Sequence, residues 1–387
     1  MSGLKLGLIG ILLTAGAMFA AAGDEHTFEM QWQEDGFSDS VSSTLDRTEH
    51  FVKEPDLGQR EILRGELSIG LSEKRELMGF AWDKSEGKLY ADLNRDGDLT
   101  NDPNGVLETS DSRNGKYCNQ NFPTFPLSFS TDQGVYHYRL RALLQKYAER
   151  YKNALFYVDS GYSGTTELYG RRWTFNVVDK LAGAIGQGNQ WSVFSADNSI
   201  SNSIRSLPLP MSLFLDGRCY DISFEFKKSE KPSPSLWCTL REKTVPTGKL
   251  RVEGKWIQRL VLGDGQILIL SEPVEGVATV PAGNFTVKQC SLNYDPTLPE
   301  VSPIRLEEIK VYVPDSNEGV LRIGGPLNSQ VRVQRMGKVL KFDYELIGAG
   351  GEKYDAQQVT RYDNSKKPSV AIYKGNMLLA TGEFEFG

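Results

Sequence analysis

Three features of the sequence predict an all-β fold. Short runs of alternating apolar and polar residues, rich in Val, Ile, Thr, Tyr and Phe, recur from residue 61 onward between clusters of Gly, Asn, Asp and Pro. The 387-residue chain holds 38 glycines and 17 prolines, which interrupt it too often for long helices. A strand–turn–strand phrase also returns after about 84 residues, as expected of repeated modules. The expected architecture is therefore tandem β-sandwich- or barrel-like modules with an internal repeat, closed by an immunoglobulin-like sandwich.

Residues 1–22 read as a secretion signal. Lys5 is the single charge of a short n-region, Leu6 to Ala20 is apolar, and Ala20-Ala21-Ala22 offers a small-residue cleavage site. The apolar run is short for a membrane span, so no span is expected after cleavage. Export to the medium, periplasm or cell envelope follows. Residues 23–60 are polar and weakly patterned, an extended lead-in with one strand expected at Thr27–Trp32.

Residues 61–160 form the first expected module and 161–245 the second. Phe122-Pro123 through Leu140 matches Leu207-Pro208 through Phe224, each a Pro-started strand, an Asp/Gly turn and a second strand. Gly65-Glu66-Leu67 marks a fainter earlier start. Within the first copy, Leu140, Leu143, Leu144, Tyr147 and Tyr151 fall at helical spacing. The matching part of the second copy carries Pro232 and Pro234, which a helix interior does not accept, so two strands are the favoured reading of residues 139–155, with a short inserted helix as the alternative. Residues 246–298 form a partial third module, in which Val280-Pro-Ala-Gly-Asn-Phe-Thr-Val287 resembles the final hairpin of secreted prealbumin-like domains. After a Pro-rich linker, residues 303–387 carry at least six short alternating strands, the spacing of an immunoglobulin-like sandwich. The run Gly348-Ala-Gly-Gly-Glu-Lys-Tyr354 reads as a loop, since no preceding parallel strand and following helix frame it as a phosphate cradle.

The densest chemistry lies at Asp92-Leu-Asn94-Arg-Asp96-Gly97-Asp98-Leu-Thr100-Asn-Asp102, where oxygen-bearing side chains recur at alternate positions around a glycine. A hard divalent cation wants six to eight oxygens at roughly 2.3–2.6 Å, and such a curl delivers them. The loop resembles the Asp-x-Asn-x-Asp-Gly half of an EF-hand or dockerin repeat. That resemblance implies Ca²⁺, with Asp92, Asn94 and Asp96 as side-chain ligands, Asp98 offering its carbonyl, and Thr100 next. It departs at the closing position, where Pro103 replaces the bidentate Glu, so Asp102 is the expected closing carboxylate. The strand-like flank Leu89-Tyr90 and the following Pro103-Asn104-Gly105 replace the EF-hand helices. In the second copy, Asn176 to Gly186 keeps Asp179 and the glycines but puts Leu and Ala at the other ligand positions, so a turn without metal is expected there.

The net charge is −6 with a pI near 5.4 and no basic run, which disfavours nucleic acid and anionic membranes. Cys118, Cys219, Cys238 and Cys290 lack zinc or thioredoxin spacing. In an oxidising compartment Cys219–Cys238, on two arms of one hairpin, is the preferred disulfide, with four buried thiols as the alternative. For catalysis, Phe156-Tyr-Val-Asp159-Ser-Gly161 has the form of an aspartic peptidase motif, but that chemistry needs two carboxylates sharing a proton, and the repeat supplies no partner. His26, His50 and His137 are isolated, and a glycosidase carboxylate pair among 50 acidic residues is a spatial property. The tryptophans Trp82, Trp173, Trp191, Trp237 and Trp256 lie mostly in strand patterns and are expected to pack in cores. The sequence thus favours an exported, calcium-binding, non-catalytic protein that binds a polysaccharide or a cell-envelope protein or serves as a component of the envelope. A secreted hydrolase, glycosidase or aspartic-peptidase-like through Asp159, is the alternative. Oligomeric state is not legible.

Overall fold

A computed structural model describes residues 24–70, 75–111, 117–131, 134–147, 151–183, 185, 189–195, 203–227, 235–271, 276–293, 300–337, 339–354 and 369–383. The expected signal segment lies outside these residues. Among them the fold is all β, with a 3₁₀ turn at Leu306–Glu308 and no α-helix. No helix of the described residues is long and apolar enough to cross a membrane.

In chain order the strands are β1 (Glu25–Gln33), β2 (Asp39–Ser43), β3 (Ile62–Ile69), β4 (Glu76–Asp83), β5 (Lys88–Ala91), β6 (Val106–Glu108), β7 (Tyr117–Asn121), β8 (Phe125–Thr131), β9 (Gly134–Tyr147) and β10 (Tyr151–Val158). There follow β11 (Gly161–Leu168), β12 (Arg171–Val178), β13 (Gln190–Ser195), β14 (Ser203–Pro208), β15 (Ser212–Leu215), β16 (Arg218–Lys227), β17 (Ser235–Lys243), β18 (Thr247–Glu253), β19 (Ile257–Gly263) and β20 (Ile267–Ser271). The last are β21 (Gly276–Pro281), β22 (Gly283–Leu292), β23 (Lys310–Val313), β24 (Glu318–Arg322), β25 (Asn328–Met336), β26 (Val339–Ile347), β27 (Lys353–Tyr354), β28 (Ser369–Lys374) and β29 (Met377–Glu383).

A first sandwich forms where the sheet β3-β4-β5-β6 faces the sheet containing β2, β10, β9, β8 and β7. Period-two alternation directs Leu63, Leu67, Phe80, Trp82 and Leu89 inward from one sheet, and Phe125, Leu140, Leu144 and Phe156 from the other. The Phe80 and Phe156 rings meet edge-on at 5.1 Å between centroids. Residues 139–155 are strands as expected: β9 and β10 pair antiparallel from Leu140↔Val158 to Tyr147↔Tyr151, and alternation, not the helical stripe, decides which side chains are buried.

The rest is organised by a twelve-stranded sheet in the order β14-β13-β12-β11-β1-β17-β16-β15-β20-β19-β22-β23. The lead-in strand β1 lies near its middle, pairing with β11 and β17 and burying Phe28 and Met30. Ladders cross the module boundaries expected from sequence: β2 joins β10, β23 joins β22, and β24 pairs with β18. All six strands expected after residue 303 are present, but they divide among sheets, with β25-β26-β27 and β28-β29 forming small sheets of their own. The expected end of the last strand, beyond Glu383, lies outside the described residues. Both halves of the expected repeat fold as three-stranded meanders, β8-β9-β10 and β15-β16-β17.

Two local expectations need correction. The segment 280–287 is a corner, because β21 pairs with β18 while β22 pairs with β19. It turns the chain between sheets where a hairpin was expected, and its apolar residues Val280, Phe285 and Val287 enter one core from two sheets. The preferred disulfide is also absent, since all four cysteines are free and buried. Cys219 and Cys238 do lie on the paired strands β16 and β17, but Cys219 faces Lys243 and Cys238 faces Phe224. That offset is roughly 17 Å along the ladder by the rise of a strand, far beyond disulfide reach.

Candidate metal loop and its surroundings

β5 ends at Ala91, and the loop begins at the next residue, where Asp92 is only 3% exposed. Its Oδ1 accepts the Asp96 amide at 3.1 Å and its Oδ2 accepts the Gly97 amide at 2.9 Å. These bonds curl the chain into the turn that the glycine permits. Gly97 has φ +84, and a Cβ there would meet Val52 at 2.8 Å, so both backbone angle and close approach require glycine. The turn is docked onto residues 52–53: Lys53 donates its amide to the Gly97 carbonyl at 3.2 Å and accepts the Leu99 amide at 3.0 Å. Leu99 itself packs with Leu57, Ala81 and Tyr90. Arg95, at φ +64, ties the outer side down through the carbonyls of Leu93 and Ser128 and through Glu76.

The side chains expected as ligands are brought together in part. Asp102 turns back so that its Oδ2 accepts the Leu93 amide at 2.8 Å. Its carboxyl is pushed above the ordinary range by burial first, and then by the negative charges of Asp92 and Asp96, while the Leu93 amide pulls the other way. Asn94 donates to Asp96 at 3.1 Å and to Asn101 at 3.3 Å, and Asn101 donates to Asp96 at 2.6 Å. Asp96 is lowered chiefly by the Asp98 amide and then by Asn101. Asp98 and Thr100 form a second group: the Thr100 hydroxyl and amide both donate to Asp98, and Lys53 lies 3.2 Å from its other oxygen. Lys53 and Asn101 are thus partners that sequence spacing did not identify. Among the described residues no three His, Cys, Asp or Glu side chains are gathered in a geometry that could hold a metal ion. The donor set is nonetheless oxygen throughout, the chemistry a hard cation selects. Two amide groups and an ammonium meet the carboxylates instead.

The turn after β12 repeats the design. Asp179, 3% exposed, accepts the amides of Ala182 at 2.8 Å and Gly183 at 2.9 Å. Gly183 has φ +65, and the buried Leu181, at φ +61, stands where the first loop carries the half-buried Arg95. Tyr138 donates its hydroxyl to Asp179 at 2.7 Å, and Asn189 its amide at 3.2 Å. Burial first, and then the Asp179 charge, holds the Tyr138 phenol well above its ordinary range.

The other expected features are held structurally. Asp159 follows β10 and pairs with Arg141 at 3.3 Å, a cation where the peptidase mechanism needs a second carboxylate. The Ser160 hydroxyl accepts the Arg139 amide at 3.0 Å. His137 bonds its cross-strand neighbour Ser128 at 3.0 Å and packs edge-on against Trp32. The glycine loop at 348–351 is a loop as expected, and its Gly350 amide donates at 2.9 Å to the chain's own Glu352, which also accepts from the Gly324 amide at 2.6 Å and the Tyr354 hydroxyl at 2.9 Å. A groove of ≈ 1290 Å³ beside it, between β24 and the β25-β26 hairpin, is lined by charges that pair among themselves, such as Arg332 and Lys353 with Glu345. Trp82, Trp173 and Trp191 are fully buried as expected, Trp237 is half-buried, and Trp256 is 42% exposed. No described protein family, curated protein or solved structure matches the chain.

Proposed function

We propose that the chain is an exported, non-catalytic β-protein that holds a calcium ion in the loop 92–102 and uses its sheets to bind a surface polymer or a protein of the cell envelope. The observation that carries the calcium reading is the buried Asp92 carboxylate curling the loop through the Asp96 and Gly97 amides, with Asp96 and Asp102 close enough for their charges to oppose one another. Asp92, Asn94, Asp96, Asp102, the Asp98 carbonyl and Thr100 would hold the ion. Bound there, it would supply charge compensation and rigidity.

The protein's part is to present the donors. Hydrogen bonds from the backbone already fix Asp92 and Asp102, whereas Asn94, Asp96, Asp98 and Thr100 would have to rearrange toward the ion as it binds. The amides of Asn94 and Asn101 and the ammonium of Lys53 occupy positions around Asp96 and Asp98 that a cation would compete for. A loop of this kind suits the millimolar calcium of an extracellular space. Isothermal titration of the purified protein tests the reading: saturable heat with a dissociation constant of about 0.1–1 mM is expected, and absence of heat at 10-fold higher Ca²⁺ would overturn it.

A further inference from the structure

The outer face of the first sandwich carries an aromatic row that its fold does not use. Tyr117, Tyr147 and Tyr151 are direct cross-strand neighbours on β7, β9 and β10, with ring centroids 5.7 Å and 5.3 Å apart. Tyr117 is 65% exposed and Tyr151 48% exposed. The rings are tilted against one another by 53° and 41°, and Tyr147 between them is half-buried. One step along the same face lies a parallel row of amides, Asn119, Gln145 and Asn153, again in direct register across the three strands. Gln145 donates to Asn119 at 3.4 Å and to the Tyr147 hydroxyl at 3.2 Å, which links the two rows. The alternate residues on these strands, Gln120, Leu144, Ala154 and Phe156 among them, fill the core behind.

A row of three aromatics whose two outer rings are exposed leaves apolar surface in water and points to a partner. Its chemistry narrows the choice. Neither row bears a formal charge in a chain of net charge −6, so an uncharged partner is complemented and a charged polymer is not. Two rows across three strands about 4.8 Å apart cover roughly 300–400 Å² with their surroundings, less than half of the ~800 Å² per partner that a stable protein dimer buries. Flat aromatic faces stack on the C–H faces of sugar rings, while planar amides meet hydroxyl groups as donor and acceptor at once. We infer that the Tyr117–Tyr147–Tyr151 row with its amide row is a binding platform for a neutral polysaccharide. The inference rests on the reading of the chain as a polymer-binding protein and names the surface and the chemical class.

Affinity gel electrophoresis tests it, with the full exported chain run through gels containing mixed-linkage β-glucan, xyloglucan, galactomannan, soluble starch or polygalacturonate. At least one neutral polymer should retard the protein. Tyr117→Ala, Tyr147→Ala and Tyr151→Ala should each weaken that interaction by about tenfold or more, as central aromatic contacts do, and the triple variant should abolish it. Tyr312→Ala, at a tyrosine 61% exposed on β23, should change nothing. Tyr147→Phe keeps the ring and should bind, which separates stacking from misfolding, and unchanged circular dichroism checks each variant. Added chelator should leave retardation intact, because none of these side chains belongs to the 92–102 loop. Retardation that survives the triple variant overturns the platform while leaving polymer binding in place elsewhere. Retardation by polygalacturonate alone overturns the platform while leaving polymer binding in place, and no retardation by any polymer overturns both.

Discussion

Replacing Asp92 with Asn separates the two roles assigned to its carboxylate. In the structure that group accepts two amides, at 3.1 and 2.9 Å, and stands at the head of the acidic loop. Asparagine keeps one acceptor oxygen and the shape but removes the charge. Without metal, the loss of one charge-assisted bond should destabilise by about 1–2 kcal/mol. The larger signature concerns Ca²⁺. A site with a dissociation constant of about 0.1–1 mM, filled at about 10 mM ion, stabilises the folded state by roughly 1.4–2.7 kcal/mol. For a chain of this size that raises the melting temperature by roughly 2–5 °C. Differential scanning calorimetry of parent and Asp92→Asn, each with 10 mM CaCl₂ and with chelator, should show the shift in the parent and less than about 1 °C in the variant. A parent insensitive to calcium, or a variant with the full shift, would refute the assignment of Asp92 to an ion site.

Three further outcomes follow from the geometry. Asp179→Ala leaves the amides of Ala182 and Gly183, the Tyr138 hydroxyl and the Asn189 amide without their acceptor. A loss of about 3–5 kcal/mol is expected in urea unfolding, and a loss under 1 kcal/mol would show that the turn does not depend on this carboxylate. Glu54 is lowered to about 2, first by its hydrogen bonds from Arg64 and against the effect of burial. A depressed carboxyl stabilises the fold above its unfolded value near 4.5 and loses that contribution as pH falls toward 2. Glu54→Gln should therefore flatten the stability profile between about pH 4.5 and 2, and a variant whose acid unfolding overlays the parent's would contradict the pairing. Finally, the thiols are buried, and burial pushes Cys219 up to about 11. Ellman's reagent should find four thiols after unfolding and almost none before, whereas two after unfolding would reveal a disulfide.

What the sequence by itself determined is local: the all-β class, the positions of most strands, the turn at Gly97 and the oxygen-bearing side chains around it. Alternation, turn residues and ligand spacing are properties of neighbouring residues, so they survive without knowledge of the partner strand. The choice of strands over a helix at 139–155 also came from sequence, through the prolines of the matching segment. Tertiary structure decided the rest, because β-ladders join residues far apart in the chain. Nothing local says that Glu25–Gln33 pairs with Gly161–Leu168 and Ser235–Lys243, or that β23 and β24 join strands from before the proline-rich segment. Register, a long-range quantity of the same kind, moved Cys219 and Cys238 out of bonding reach. It also drew Tyr117, Tyr147 and Tyr151 into one row, where attention to the tryptophans alone would have missed it.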